Sequence, residues 1–269
     1  MSFFQSVFLG ILQGITEFLP ISSSGHLILV EHWMGLKVDE LKSFDVALHM
    51  GTLLAILLYF WKDFYGILMS LLGKKIRSLD MPFAESISLY RRLFIFIVIG
   101  TIPAIVAGVF FGDTIDAVFR NNTKAVALML FLVALLFFLA ERHPREKKKT
   151  KVGLKEAILT GIAQSFALIP GVSRSGATIT AGLFQGLNRE EAARFSFLLG
   201  APAIFGAGVW TLSSGVVSDT DFSLFFGGFI SAAISGILVI HFLMNFLKNH
   251  GLSVFAWYRI ALSIVVFML

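Results

Sequence analysis

The chain has 269 residues, of which 57% are hydrophobic and 14% charged, and its mean hydropathy is +0.84. A soluble domain carries about 25% charged residues, so this composition excludes a soluble globular enzyme, a disordered chain and a nucleic-acid binder, and leaves a single domain held in a bilayer. The lack of cysteine excludes disulfides, thiolate metal sites and a cysteine nucleophile.

The first segment, 2–30, begins without a basic stretch, which predicts no cleavable leader. It is apolar but carries Glu17, Pro20 and then Ser22, Ser23, Ser24, Gly25 and His26. Pro and Gly break it among polar groups. Irregular backbone at membrane depth persists only where protein or a watery cavity surrounds it, so a re-entrant helical hairpin is expected. A span follows at 46–61, then a loop, 62–92, holding Lys62, Lys74, Lys75, Arg77, Arg91 and Arg92. The clearest span is 93–111. Loop 112–124 mixes Asp113 and Asp116 with Arg120 and Lys124, and span 125–140 comes next. Loop 141–156 is strongly basic, with Arg142, Arg145, Lys147, Lys148, Lys149, Lys151 and Lys155. Segment 157–187 is broken like the first, at Pro170 and Gly171 and then Ser173, Arg174, Ser175 and Gly176. It reads as a second re-entrant hairpin. Spans at 195–218, 222–247 and 254–269 complete the chain. The turn between the first two of these holds only acids, Asp219 and Asp221.

The expected fold is therefore all-α and polytopic, with six transmembrane helices and two re-entrant hairpins. Basic loops stay in the cytoplasm, which places 62–92 and 141–156 inside. The first hairpin then enters from outside and the second from inside. The two halves, about 1–140 and 153–269, have opposite topology. Aligned at an offset of 151, Gly10, Ile11, Gln13, Ser22, Ser24 and Gly25 meet Gly161, Ile162, Gln164, Ser173, Ser175 and Gly176. An inverted-topology repeat with broken helices gathers a site near the midplane. Helix N-termini with serine-rich turns there would hold an anion.

The residues at the breaks supply candidate chemistry. A carboxylate at membrane depth is a functional candidate or a structural counter-ion, and Glu17 can be both to Arg174. Gln13 lies one helical turn before Glu17 and faces the same way. Ser23 and His26, three residues apart, suit a nucleophile and its base; at least one of Ser22, Ser23 and Ser24 caps a helix. Arg174 offers a planar fork of donors to phosphate or carboxylate, and Thr178 lies one turn beyond it. His49 and His241 are expected to bond to neighbouring helices. Arg259 is expected to snorkel or pair near the end of the last helix. Asp45 suits a helix N-terminus or a supporting acid, and Pro103 and Pro202 suit kinks. The glycine-rich stretches 200–208 and 227–236 permit close helix packing within a protomer or in a homodimer.

These residues carry a family resemblance. Residues 13–26, Gln13 through Glu17 and the serine turn to His26, resemble the first signature of the undecaprenyl-diphosphate phosphatases, the bacitracin-resistance family. Residues 170–178, from Pro170 and Gly171 through Ser173, Arg174 and Ser175 to Thr178, resemble its second. Gln13 stands where the family has Glu or Gln, which leaves position 13 without an acid–base role. The resemblance implies hydrolysis of undecaprenyl diphosphate to the monophosphate and phosphate, recycling the lipid carrier for peptidoglycan. It implies a divalent cation, Mg2+ or Ca2+, and a site opening to the outer face of the cytoplasmic (inner) membrane. Joined to the residue reading, it gives Arg174, the turn at Gly171, Ser173, Ser175 and Gly176, and Thr178 as substrate binders with Gln13, Ser22 and Ser24. Glu17 and Gln13 hold the cation, Ser23 attacks and His26 takes its proton. Two variants stay open: His26 activating water, and His26 as nucleophile. A transporter or flippase of an anionic lipid or small anion is the alternative from another class, because the same architecture serves transport.

Overall fold

In the computed structural model, residues 1–36, 41–74, 83–119, 122–142, 149–213 and 222–268 are described. Lys75, Arg77, Arg120, Arg145, Lys147, Lys148, Asp219 and Asp221, which entered the topology argument, lie outside them. The described residues form eleven α-helices and no strand; the only ladder contact is an isolated bridge between Lys149 and Leu187. Five helices are long and apolar enough to cross a membrane, with windows at Lys42–Tyr59, Ala84–Phe119, Thr123–Arg142, Arg189–Thr211 and Phe222–Asn249. That is the make-up of a multi-pass membrane protein. The expected sixth span is the shorter apolar helix Ser253–Met268.

The first break separates α1 (Phe3–Phe18) from α2 (Ser23–Trp33). A capping box starts α1, with Ser2 and Gln5 bonded reciprocally. It stops before Pro20, whose ring and missing N–H do not fit a helix interior. α3 (Lys42–Tyr59) and α4 (Trp61–Leu71) follow. α5 (Phe83–Phe119) is much longer than the expected span 93–111, and Pro103 lies inside it. Helix continues through Glu85, Arg91 and Arg92, so these charges extend the rod rather than end it, and α4 takes up more of the stretch read as loop. α6 (Thr123–Arg142) closes the first half. The second break separates α7 (Leu154–Phe166) from α8 (Arg174–Phe184). α9 (Arg189–Ser213), α10 (Phe222–Asn249) and α11 (Ser253–Met268) complete the order.

Small residues set the closest packing. Gly10 and Gly14 of α1 lie against Ser231, Ser235 and the carbonyls of Gly228 and Ala232 on α10. Gly161 of α7 lies against Gly100 of α5 in the corresponding way. Between apolar helices in lipid, such close contact replaces the hydrophobic drive that water would supply. Any Cβ at Gly14 would strike Ser235 and backbone of α10. Gly14→Val is therefore expected to destabilise the fold by about 1–3 kcal/mol, seen as a lower melting temperature in detergent.

The helix contacts join the two halves of the chain. α1 packs on α10 as α7 packs on α5; α3 meets α9, and α6 meets α11. Phe18, Phe197, Phe137 and Ile179 fill the centre, while Ile105, Phe110, Leu139, Leu238 and Phe242 face outward. An apolar outer face of this extent suits lipid, not water.

Candidate active site

Both breaks end in the same local geometry. Ser22 and Ser173 immediately precede α2 and α8, and they are the only non-glycine residues at positive φ among the described residues, at 76° and 71°. Such a backbone costs about 1–3 kcal/mol and lasts only where surrounding structure enforces it. Each serine hydroxyl sits near the hydroxyl two residues on: Ser22 to Ser24 at 3.4 Å, and Ser173 to Ser175 at 3.3 Å. Ser173 also caps α8, accepting from the Gly176 amide at 3.2 Å. Ser22 makes no such side-chain cap. Ser175 donates to the Leu19 carbonyl at 3.3 Å, a direct tie from the second break to the first.

Glu17 lies at the centre, buried in the last turn of α1. Arg174, the first residue of α8, donates from Nη2 to Oε1 at 2.7 Å. Ser23, the first residue of α2, donates from Oγ to Oε2 at 2.6 Å, and Gln13 Nε2 donates to the same oxygen at 3.0 Å. His49 Nε2 of α3 stands 3.7 Å from it. The carboxylate thus collects both halves of the chain. Arg174 Nη1 has no hydrogen-bond partner, and the guanidinium lies against Gly200, where any Cβ would collide with it. The Gln13 Oε1 is likewise buried without a partner. An unpartnered guanidinium edge and a buried amide oxygen beside one carboxylate can receive, respectively, a phosphoryl oxygen and a hard cation.

Other residues from the two motifs lie differently. Thr178 turns away from Glu17: its hydroxyl bonds the Arg174 carbonyl at 2.7 Å and Ser196 of α9 at 2.6 Å. Gly171, at φ 94°, packs its turn against Val126 and Met129 of α6. Gly176 leaves room for Phe137. His26 does not bond to Ser23. Its Nδ1 lies 2.7 Å from the Ser22 carbonyl and its Nε2 lies 2.6 Å from the Tyr258 hydroxyl.

Three side chains alter the expectations from sequence. His49, expected to bond a neighbouring helix, holds its own helix through the Asp45 carbonyl at 2.7 Å and turns its other nitrogen to Glu17. His241 pairs within its helix, 3.0 Å from Asn245 Nδ2. Arg259 does not snorkel. It is fully buried, and its guanidinium donates to the carbonyls of Pro20 at 3.2 Å, Gly171 at 2.6 Å, Leu130 at 3.2 Å and Met129 at 3.5 Å. Its charge lies 5.4 Å from the Phe137 ring centroid. One side chain of α11 therefore grips both breaks. The sequence signal for it was slight: an arginine one residue after a tyrosine in an apolar helix.

Comparison with known proteins bears on this arrangement. The family model described as Bacitracin resistance protein BacA matches residues 6–265. The undecaprenyl-diphosphatase of Caldicellulosiruptor bescii is 42% identical over 268 residues, which cover 99% of this chain and 97% of that protein. That of Thermodesulfovibrio yellowstonii is 45% identical over 271 residues, 99% of this chain and 96% of that one. That of Thermomicrobium roseum is 43% identical over 279 residues, all of this chain and 98% of its own.

Proposed function

The chain belongs to the bacitracin resistance protein BacA family, and on that basis we propose that it hydrolyses undecaprenyl diphosphate to undecaprenyl phosphate and inorganic phosphate. The single observation that carries the site assignment is the meeting of Ser23, Arg174 and Gln13 on the buried Glu17 carboxylate. The lipid tail stays among the membrane lipids and the diphosphate enters between the two breaks. Arg174 binds the terminal phosphoryl group through Nη1, which has no partner in the protein. The α2 and α8 N-termini face the same space with their partial positive charge.

Ser23 Oγ attacks the terminal phosphorus. The new P–O bond forms as the bond to the bridging oxygen breaks, and undecaprenyl phosphate leaves. The Ser23 proton passes to Glu17 Oε2, its existing acceptor at 2.6 Å, and not to His26 as the sequence suggested, because both imidazole nitrogens are engaged elsewhere. Water then attacks the phosphoserine, phosphate departs, and the proton returns to Ser23. Glu17 and the Gln13 Oε1 fit a hard cation such as Mg2+ or Ca2+, which takes oxygen ligands and binds through one or two carboxylates together with substrate phosphates. Bound there, it would neutralise charge on the phosphate oxygens.

The matching order of helix contacts in the two halves and the paired positive-φ serines support an inverted-topology repeat of halves 1–140 and 153–269 in one membrane domain. On this reading six helices span the membrane, α1–α2 and α7–α8 are the re-entrant hairpins, and the protein is a multi-pass component of the cytoplasmic membrane. Its site opens to the outer face; Gly200, Gly208, Gly228 and Gly236 pack against helices of the same protomer, so a homodimer would use other surfaces. The test is phosphate release from undecaprenyl diphosphate by the purified protein in detergent. Release is expected with added Mg2+ or Ca2+, and a covalent phosphate trapped during turnover should map to Ser23. No release in detergent, with lipid movement seen in sealed vesicles, would favour a flippase and sink the phosphatase reading.

A further inference from the structure

The two serine turns have the same strained backbone but are held in different ways. Ser173 secures its own turn, because its hydroxyl caps α8 at the Gly176 amide. Ser22 has no side-chain cap bond. What holds its turn is His26, whose backbone amide and Nδ1 both reach the Ser22 carbonyl, at 3.3 and 2.7 Å. The position equivalent to His26 in the second half, 151 residues on, is Ala177, so the imidazole has no counterpart there and the self-made cap takes its place.

The hydrogen-bond roles follow from chemistry. A carbonyl oxygen only accepts, so Nδ1 carries the proton toward Ser22. In the neutral ring Nε2 is then the acceptor, and the group at 2.6 Å from it is the Tyr258 hydroxyl. The two rings lie nearly parallel, 9° apart with centroids separated by 5.7 Å. Tyr258 is followed in α11 by Arg259, which grips the carbonyls of Pro20 and Gly171. α11 therefore reaches the first break twice, once through each of two adjacent residues.

We propose that Tyr258 is a positioning residue: its hydroxyl donates to His26 Nε2, fixes the imidazole with Nδ1–H on the Ser22 carbonyl, and so holds the strained turn that aims Ser23 at Glu17. It acts through His26 and touches no reacting atom. The inference rests on the phosphatase reading for its activity assay, but the proton position on His26 can be observed without turnover.

Tyr258→Phe removes the hydroxyl and keeps the ring. It is expected to lower kcat about tenfold with KM unchanged and only a small fall in melting temperature, because the packing remains while Ser23 loses its aim. His26→Ala should lower kcat at least as much, and the double variant His26→Ala/Tyr258→Phe should be no slower than His26→Ala alone. In 15N-histidine spectra of the purified wild type, one imidazole should show the Nδ1-protonated neutral tautomer, and Tyr258→Phe should convert that signal to a tautomer mixture. Full kcat in Tyr258→Phe, or additive losses in the double variant, would overturn the proposal. An unchanged His26 tautomer would do the same, even if the variant were too unstable to assay. These outcomes are separable from failure of the phosphatase reading, which would show as no phosphate release by the wild type.

Discussion

Arg174→Ala is expected to lower kcat/KM for phosphate release by roughly 10²- to 10⁴-fold, from about 3–5 kcal/mol of lost stabilisation. Two effects combine. The guanidinium gives Nη2 to Glu17 Oε1 at 2.7 Å, and its Nη1, buried beside Gly200 without a hydrogen-bond partner, is the proposed donor to a phosphoryl oxygen. Its removal strips charge stabilisation from the transferring phosphoryl group. It also leaves the Glu17 carboxylate buried beside an oxyanionic substrate without its guanidinium partner. Arg174→Lys should recover little. An ammonium is a point charge on a flexible stem and cannot serve the carboxylate and a phosphate along two edges of one plane. Steady-state phosphate release in detergent measures both variants. The Gly200 contact gives an independent route to the same defect: Gly200→Ala puts a methyl group where the guanidinium lies and displaces it, without removing any polar group from the site. Retention of wild-type kcat/KM by Arg174→Ala would remove Arg174 from the chemistry altogether.

Arg259→Met should act on the fold first. The change keeps an apolar stem but strips hydrogen bonds from the carbonyls of Pro20, Gly171 and Leu130 at buried positions and of Met129 at a half-buried one. A buried group left unsatisfied costs about 1–3 kcal/mol, and part of this is regained by apolar packing, so a net loss of about 2–4 kcal/mol is expected. The readout is a lower melting temperature in detergent, with activity lost as both turns relax. Arg259→Lys should restore only part of the stability, since one ammonium cannot span four carbonyls that lie in two turns and a helix. A melting temperature equal to that of the wild type would mean the turns hold themselves.

The charges made much of the site legible before any coordinates. A carboxylate and a guanidinium in separate apolar segments have few ways to escape the cost of isolation, and pairing is the most direct. Glu17 meets Arg174 across 157 residues, and Pro20 and Pro170 with Gly171 mark the helix breaks. The limits were equally physical. The long α5 was hidden because Glu85, Arg91 and Arg92 read as loop charges, yet helix tolerates them where one face meets water. His49 gave no direction: a single polar residue in an apolar span does not say which neighbour it faces. His26 was assigned to Ser23 on helical spacing, but a ring three residues away can reach back to the carbonyl at i−4 instead. Tyr258 reaches His26 across 232 residues, and no local pattern encodes such a contact.

Ser23 and Arg174 occupy matching places, 151 residues apart, as the first residues of their helices. Each ends on a different oxygen of the same carboxylate. Leu168 and Ala177 stand where the other half has Glu17 and His26. Perfect symmetry would present two hydroxyls or two guanidinium groups to a ligand whose ends are unlike, one phosphate bearing the lipid and the other to be transferred. Divergence between the halves would therefore give the site a direction. With Ser23 as the proposed attacking group at one helix start and Arg174 as the proposed counter-charge at its twin, a two-ended substrate could be read in only one sense.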